Sequence, residues 1–189
     1  VLTAMHNAFY EAGVDAIETA TFGSFSLVLN EYGLADRARE ISRAAAGISR
    51  TVSDQWEARD GRPRWVAGSI GPGTKLPSLG HIGFEELRDS YTEQAEGLLE
   101  GGVDLFLIET AMDLLQVKAA MIGCRRAMAN LGRAVQQTRR GSAGFGVEKV
   151  RGQRAVQHHR TEMEAPPFEF GTEAFTFVER RALERGHDH

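Results

Sequence analysis

The chain has 189 residues, 42% of them hydrophobic, a net charge of -4 and a pI near 5.9. It can build one domain with a core, and its charge offers no electrostatic basis for a nucleic-acid partner. A single cysteine, Cys124, excludes an internal disulfide and a multi-cysteine zinc site, and fits a reducing compartment. No apolar run approaches the roughly 20 residues of a membrane span, and no secretory pattern opens the chain. A cytoplasmic protein with no membrane partner is therefore expected.

Val1 is not an initiator methionine, and Leu2, Met5, Phe9 and Tyr10 fall near helical spacing. The chain is thus expected to open inside or just before a helix that other residues precede. That helix, over 1–12, closes at Gly13, and a strand over 14–19 follows. After a loop containing Phe22, Gly23 and Ser24, a short helical stretch runs to Gly33. Ala38, Ile41, Ala45, Ile48, Val52 and Trp56 keep a helical period over 36–58, with Asp36 as the predicted N-cap. Asp60-Gly61-Arg62-Pro63 is turn chemistry. A strand at 65–70 runs into Gly71-Pro72-Gly73-Thr74-Lys75. A helix at 84–99 precedes another strand, and the last helix spans 114–131, stopped by Asn130 and Gly132. This α-β-α-β-α-β-α order predicts a parallel sheet with right-handed crossovers. Three strands are less than half of a closed barrel, which needs about 250 residues.

One phrase occurs twice. Glu11-Ala12-Gly13-Val14-Asp15-Ala16-Ile17-Glu18-Thr19-Ala20 returns, two residues longer, as Glu100-Gly101-Gly102-Val103-Asp104-Leu105-Phe106-Leu107-Ile108-Glu109-Thr110-Ala111. Each copy is a helix stopped by glycine, then a strand apolar throughout, as suits burial on both faces of a parallel sheet. Both strands end in Glu-Thr. Barrel enzymes carry their chemistry at the C-terminal ends of strands, so Glu18, Thr19, Glu109 and Thr110 are the candidate site residues. The plainer alternative makes the carboxylates strand-end partners of a nearby Arg or Lys, and the threonines ordinary β-branched strand residues.

Composition changes near Arg133. Residues 1–133 hold 28 Ile, Leu and Val, whereas 134–189 hold six, with nine Lys or Arg and eight Asp or Glu. The chain is accordingly divided into a partial barrel, 1–133, and a tail, 134–189, with no strand-like run where the next barrel strand is due. The tail is expected to be irregular and weakly ordered, or the product of a shifted reading frame. Its His158, His159, His187 and His189 are metal-ligand types, read here as adventitious surface binders.

The phrases Ile17-Glu18-Thr19-Ala20-Thr21-Phe22-Gly23, Ala67-Gly68-Ser69-Ile70-Gly71-Pro72-Gly73-Thr74-Lys75-Leu76-Pro77-Ser78-Leu79-Gly80-His81 and Ile108-Glu109-Thr110-Ala111-Met112-Asp113-Leu114-Leu115-Gln116-Val117-Lys118-Ala119-Ala120 resemble the homocysteine S-methyltransferase domain of cobalamin-dependent methionine synthase. The resemblance covers 1–133 and implies a (β/α)8 TIM barrel. In that family three cysteines hold zinc, and zinc binds homocysteine as its thiolate. The thiolate takes a methyl group from methylcobalamin, or in sister enzymes from betaine or S-methylmethionine. Zinc suits this chemistry because it lowers a thiol pKa that is otherwise near 8.5. The resemblance gives Thr19 a hydrogen bond to the amino-acid end of homocysteine and Glu109 one from the substrate ammonium. Glu18, beside Thr19 but pointing the other way along the strand, would support the substrate-binding set.

Two departures follow. The family's first strand would precede Val1, and its zinc cysteines would follow residue 133, where this sequence has none. Cys124 falls on the apolar side of a helix and is read as core. The chain alone is therefore expected to bind neither zinc nor methylcobalamin and to be inactive, as part of a homocysteine methyltransferase. Two other readings stand beside this one. In the first, the chain is a non-catalytic barrel remnant or interaction module, self-associating through exposed sheet edges. In the second, it is a different barrel enzyme such as a pterin-binding transferase. The Gly68–Lys75 segment lacks the Gly-Lys-Ser/Thr ending of a phosphate loop and is read as shaping the barrel mouth. His81 is read as a loop residue.

Overall fold

A computed structural model describes residues 1–131 and the backbone of residues 175–180. Two glycines in the repeated phrase do the same local work. Gly13 (φ 96) ends helix α1 (Leu2–Glu11), and Gly102 (φ 93) ends helix α4 (Phe84–Glu100). Both ends carry the same pair of bonds: Gly13 and Val14 donate to the Tyr10 and Phe9 carbonyls, and Gly102 and Val103 to those of Leu99 and Leu98. A left-handed residue closes such a turn without a Cβ clash, which is why glycine holds both positions.

Strands β1 (Ala16–Glu18), β2 (Trp65–Ile70) and β3 (Leu105–Ala111) follow in chain order and pair in parallel, β1 with β2 and β2 with β3. Helices α2 (Ser26–Leu29) and α3 (Ala38–Asp60) connect β1 to β2, α4 connects β2 to β3, and α5 (Leu114–Asn130) follows β3. This is the predicted α/β partial barrel. One boundary differs. Asp36 lies in a single 3-10 turn, Ala35–Arg37, and α3 starts after Arg37 with no side-chain cap. The turn satisfies the backbone locally and leaves the Asp36 carboxylate no cap to make.

Alternate strand residues sort onto two sides. Ile17, Val66, Ile70, Phe106 and Ile108 are buried in the main core, where α3, α4 and α5 supply Val52, Leu98, Ala119 and Ala127. Helix contacts are close where glycine permits. A Cβ on Gly97 would lie 2.4 Å from the Arg39 carbonyl oxygen, and one on Gly101 2.4 Å from Ala46 Cβ. Cys124 is fully buried in this core.

The aspartates of the two phrases diverge. Asp15 is exposed and pairs with Arg62. Asp104 is buried, accepting from Arg50 Nη1 and from the Val66 amide at 2.8 Å each, and so ties α3, β2 and β3 together.

Within 134–189 the structure adds a strand that the sequence reading did not anticipate. β4 (Phe175–Arg180) runs antiparallel to β3, with a bulge between Ile108 and Ala111, where a regular barrel continues with a parallel strand. Phe175-Thr176-Phe177-Val178 is aromatic and β-branched throughout. The surrounding charges and prolines obscured that signal. The four tail histidines, Phe168 and Phe170 lie outside the described residues.

Candidate substrate-binding site

β1 ends at Glu18, Ser69 is the penultimate residue of β2, and Glu109 sits near the end of β3. All three belong to the set that alternates away from the helices. Ser69 Oγ donates to Glu109 Oε1 at 2.6 Å. Glu18 lies near enough to Glu109 and Ser69 for both to act on its ionisation. The two glutamates of the repeated phrase thus converge on one serine between them.

The Glu18 carboxyl is pushed up from 4.5 to about 7. Desolvation at the strand ends is the largest cause, followed by the neighbouring Glu109 carboxyl; Ser69 acts in the opposite sense. Glu18 as a whole residue is solvent-exposed.

Thr19 lies on the other side of this strand end and is 4% exposed. Its Oγ1 accepts from the Ser69 amide at 3.0 Å and lies 2.6 Å from Thr21 Oγ1. Thr21 donates its own proton to the Ser69 carbonyl at 2.7 Å. A hydroxyl has one proton, so Thr19 must be the donor in the Thr19–Thr21 bond. Its proton is committed to the protein, which leaves it at most an acceptor toward a ligand. Gln94, fully buried on α4, closes the same lock by donating to the Thr21 carbonyl at 2.7 Å and to Ser24 Oγ at 3.1 Å.

Thr110 has φ 58, the one non-glycine residue with positive φ among those described. For a β-branched residue this is a strained conformation. It coincides with the bulge that ends regular pairing on β3. Thr110 is a residue of β3, and its backbone turns the strand end that carries Glu109.

The glycine loop is packed from beneath. A Cβ on Gly71 would lie 2.7 Å from the Phe22 carbonyl oxygen, and one on Gly73 2.7 Å from the Phe25 ring. The Gly71 amide donates to Phe22, and Gln116 Nε2 donates to the Pro72 and Lys75 carbonyls at 3.0 and 2.8 Å. This loop is built for close packing at the mouth. His81 is an exposed loop residue whose Nδ1 accepts weakly from the Leu76 amide at 3.4 Å.

Ser69, Gln94, Gln116 and Asp113 were not singled out from sequence. Asp113 caps α5, accepting from the Leu115 amide at 2.7 Å, and holds the neighbouring loop through the Ser78 amide at 2.9 Å. Burial works to raise its carboxyl, but the bonds from Ser78, Leu115 and Gln116 prevail and hold it below the ordinary value. An Asp directly before an apolar helical run was the available signal. Gln94 and Gln116 also fell on the buried faces of their helices, where a polar residue needs a partner.

No group of three or more His, Cys, Asp and Glu side chains among the described residues is arranged to hold a metal ion. Cys124, the sole cysteine, is buried among the helices. The donor set among the described residues does not fit zinc.

Parallel strands joined by helices, with polar side chains gathered at the strands' C-terminal ends, define a barrel-type α/β protein with a mouth-side site. The chain belongs to the homocysteine S-methyltransferase family, whose model matches residues 1–154. It is 50% identical over 135 residues to the methionine synthase of Mycobacterium tuberculosis, and 48% identical over 135 residues to that of Mycobacterium leprae. Each match covers 71% of this chain and 11% of the relative, so the chain spans about a ninth of the curated proteins it matches. Its fold is similar to the metallated form of the Escherichia coli homocysteine methyltransferase MmuM, with a TM-score of 0.57 at 21% identity. That likeness covers 70% of this chain and 48% of the other. The family match runs past residue 133, where the change in composition had suggested an end.

Proposed function

We propose that this chain supplies the amino-acid-recognising part of a homocysteine methyltransferase site of the methionine synthase kind. The parent reaction is methyl transfer from methylcobalamin to zinc-bound homocysteine thiolate, giving methionine. The observation that carries this reading is the Glu18–Ser69–Glu109 cluster at the C-terminal strand ends of a member of this family. Glu109, held by Ser69 Oγ, accepts from the substrate ammonium, and Glu18 supplies a second carboxyl beside it. Such charge-assisted bonds are about twice as strong as neutral ones. Thr19 fixes the β1–β2 junction and can offer the ligand only an acceptor. The methyl donor and the thiolate would be handled outside the described residues, in a cytoplasmic protein.

L-Homocysteine binding to the 189-residue chain, followed calorimetrically, tests the reading. Binding should weaken by roughly ten- to a hundredfold in Glu109→Gln, in line with about 1.5–3 kcal/mol for a hydrogen bond to a charged group. Equal affinity in the variant, or no binding at millimolar ligand, would overturn it. Supplied with zinc and methylcobalamin, the chain should form no methionine; turnover would show that its own residues complete the site.

A second reading rests on β1, which pairs only with β2 among the described residues. An open strand edge invites association, so the chain would self-associate through it. Sedimentation showing a concentration-independent monomer would dismiss this.

A further inference from the structure

We propose that strand β4 is the positioning element for Glu109, acting through the bulge at Glu109 and Thr110, so that recognition of the substrate ammonium depends on β4. This rests on the reading above, in which Glu109 accepts from that ammonium. The strand register carries the inference. Leu105 through Ile108 pair one for one with Arg180 through Phe177, and the next pair is Ala111 with Phe175. Two residues of β3, Glu109 and Thr110, therefore stand opposite one residue of β4, Thr176. A two-for-one bulge bends its strand and re-aims the side chains it carries.

β2 does not set this backbone. Its pairing with β3 ends at Ile70 and Ile108, one residue short of Glu109, and it meets Glu109 through the Ser69 hydroxyl. Among the described elements, β4 alone has a backbone pair on each side of Glu109. Burial along β3 records the shift. Phe106 and Ile108 are buried, and strict alternation would bury Thr110 next. Instead Thr110 is exposed and Ala111 is buried. Thr110 also takes φ 58, a conformation that persists in a β-branched residue only where its surroundings hold it. The β4 pairs on either side supply that hold. Without them Thr110 should return to negative φ, alternation should resume, and Glu109 should leave the position in which it accepts from Ser69.

The experiment is calorimetry of L-homocysteine binding to the full chain and to its double variant Phe177→Pro/Val178→Pro. Successive amides of a strand point to opposite sides, so the two prolines remove the one that faces β3 whichever residue carries it. Binding should weaken roughly ten- to a hundredfold, as in Glu109→Gln. Adding Glu109→Gln to the proline pair should weaken it no further, because the carboxylate is already out of place. In the unmodified chain, saturating L-homocysteine should slow hydrogen exchange at Ala111 and in β4 more than in α3. A ligand that favours the paired state stabilises that pairing in return. This readout needs no variant and decides the matter if the prolines unfold the chain. Unchanged affinity in the folded proline variant, additive losses, or equal slowing in β4 and α3 would overturn the proposal and leave the site reading standing. No binding by the unmodified chain would overturn both.

Discussion

Ser69 Oγ donates to Glu109 Oε1 at 2.6 Å, and through that bond a β2 residue orients the carboxylate of β3. The same hydroxyl acts on Glu18 of β1 and lowers its affinity for a proton. One serine thus governs two acidic strand ends.

Ser69→Ala should therefore raise the Glu18 titration above its present value of about 7, because the one contact lowering it is removed. Side-chain carboxyl NMR across pH 4 to 9 would show the shift. The loss of a partly buried hydrogen bond to Glu109 should also cost about 1–2 kcal/mol of stability in urea unfolding.

Stability should fall as pH rises across the Glu18 window. Below 4.5 the carboxyl is protonated folded or unfolded. Between 4.5 and about 7 the folded chain keeps a proton that the unfolded chain has released, so the stabilisation present at low pH is lost by about 7. Glu18→Gln should flatten this part of the profile and leave the variant the more stable protein at pH 8. Thermal melts of both proteins from pH 4 to 8 would reveal it.

His6 acts in the opposite sense. It is 1% exposed, and burial lowers its pKa below the ordinary 6.5. Above 6.5 the ring is neutral in both states and its contribution is complete. As pH falls below 6.5 the unfolded chain takes up the proton first, and stability is lost toward the folded-state value. His6→Gln should remove this acid-side slope in the same melts.

Gly97→Ala should be disruptive although alanine is the better helix former. Its Cβ would meet the Arg39 carbonyl oxygen at 2.4 Å, backbone that cannot move without separating α3 from α4. Overpacking of this kind costs about 1–3 kcal/mol. Gly47→Ala, on α3 with nothing within 4 Å of the new Cβ, should be stabilising by comparison in parallel denaturant titrations.

Asp104→Ala should cost about 1–3 kcal/mol, since it takes this acceptor from the buried Val66 amide and one of two carboxylates from Arg50, which keeps Asp54. The corresponding change in the first copy, Asp15→Ala, should fall within about 0.5 kcal/mol, because Asp15 and Arg62 are both exposed. Comparing the two in one unfolding assay separates the copies.

The order of elements was legible because apolar period changes from helical to strand-like at each glycine stop. Gly13 and Gly102 both proved left-handed, and the strand at Trp65–Ile70 fell where its apolar run placed it. The Asp36 cap failed because a 3-10 turn satisfied the same amides first. Asp113, the helix cap that does form, stands three residues beyond the Glu-Thr pair.

Local sequence alone determined where helices stop, which strands run apolar, and that Glu18 and Glu109 end two of them, because those properties depend on neighbours within a few residues. Only the tertiary structure decided that these glutamates meet over Ser69, that the proton of Thr19 is spent on Thr21, and that Asp104 is buried while Asp15 is not. Those outcomes depend on how parallel strands stack side by side, which sets Ser69 against Thr19, Thr21 and Glu109 across roughly forty to fifty positions, a relation that no local pattern encodes.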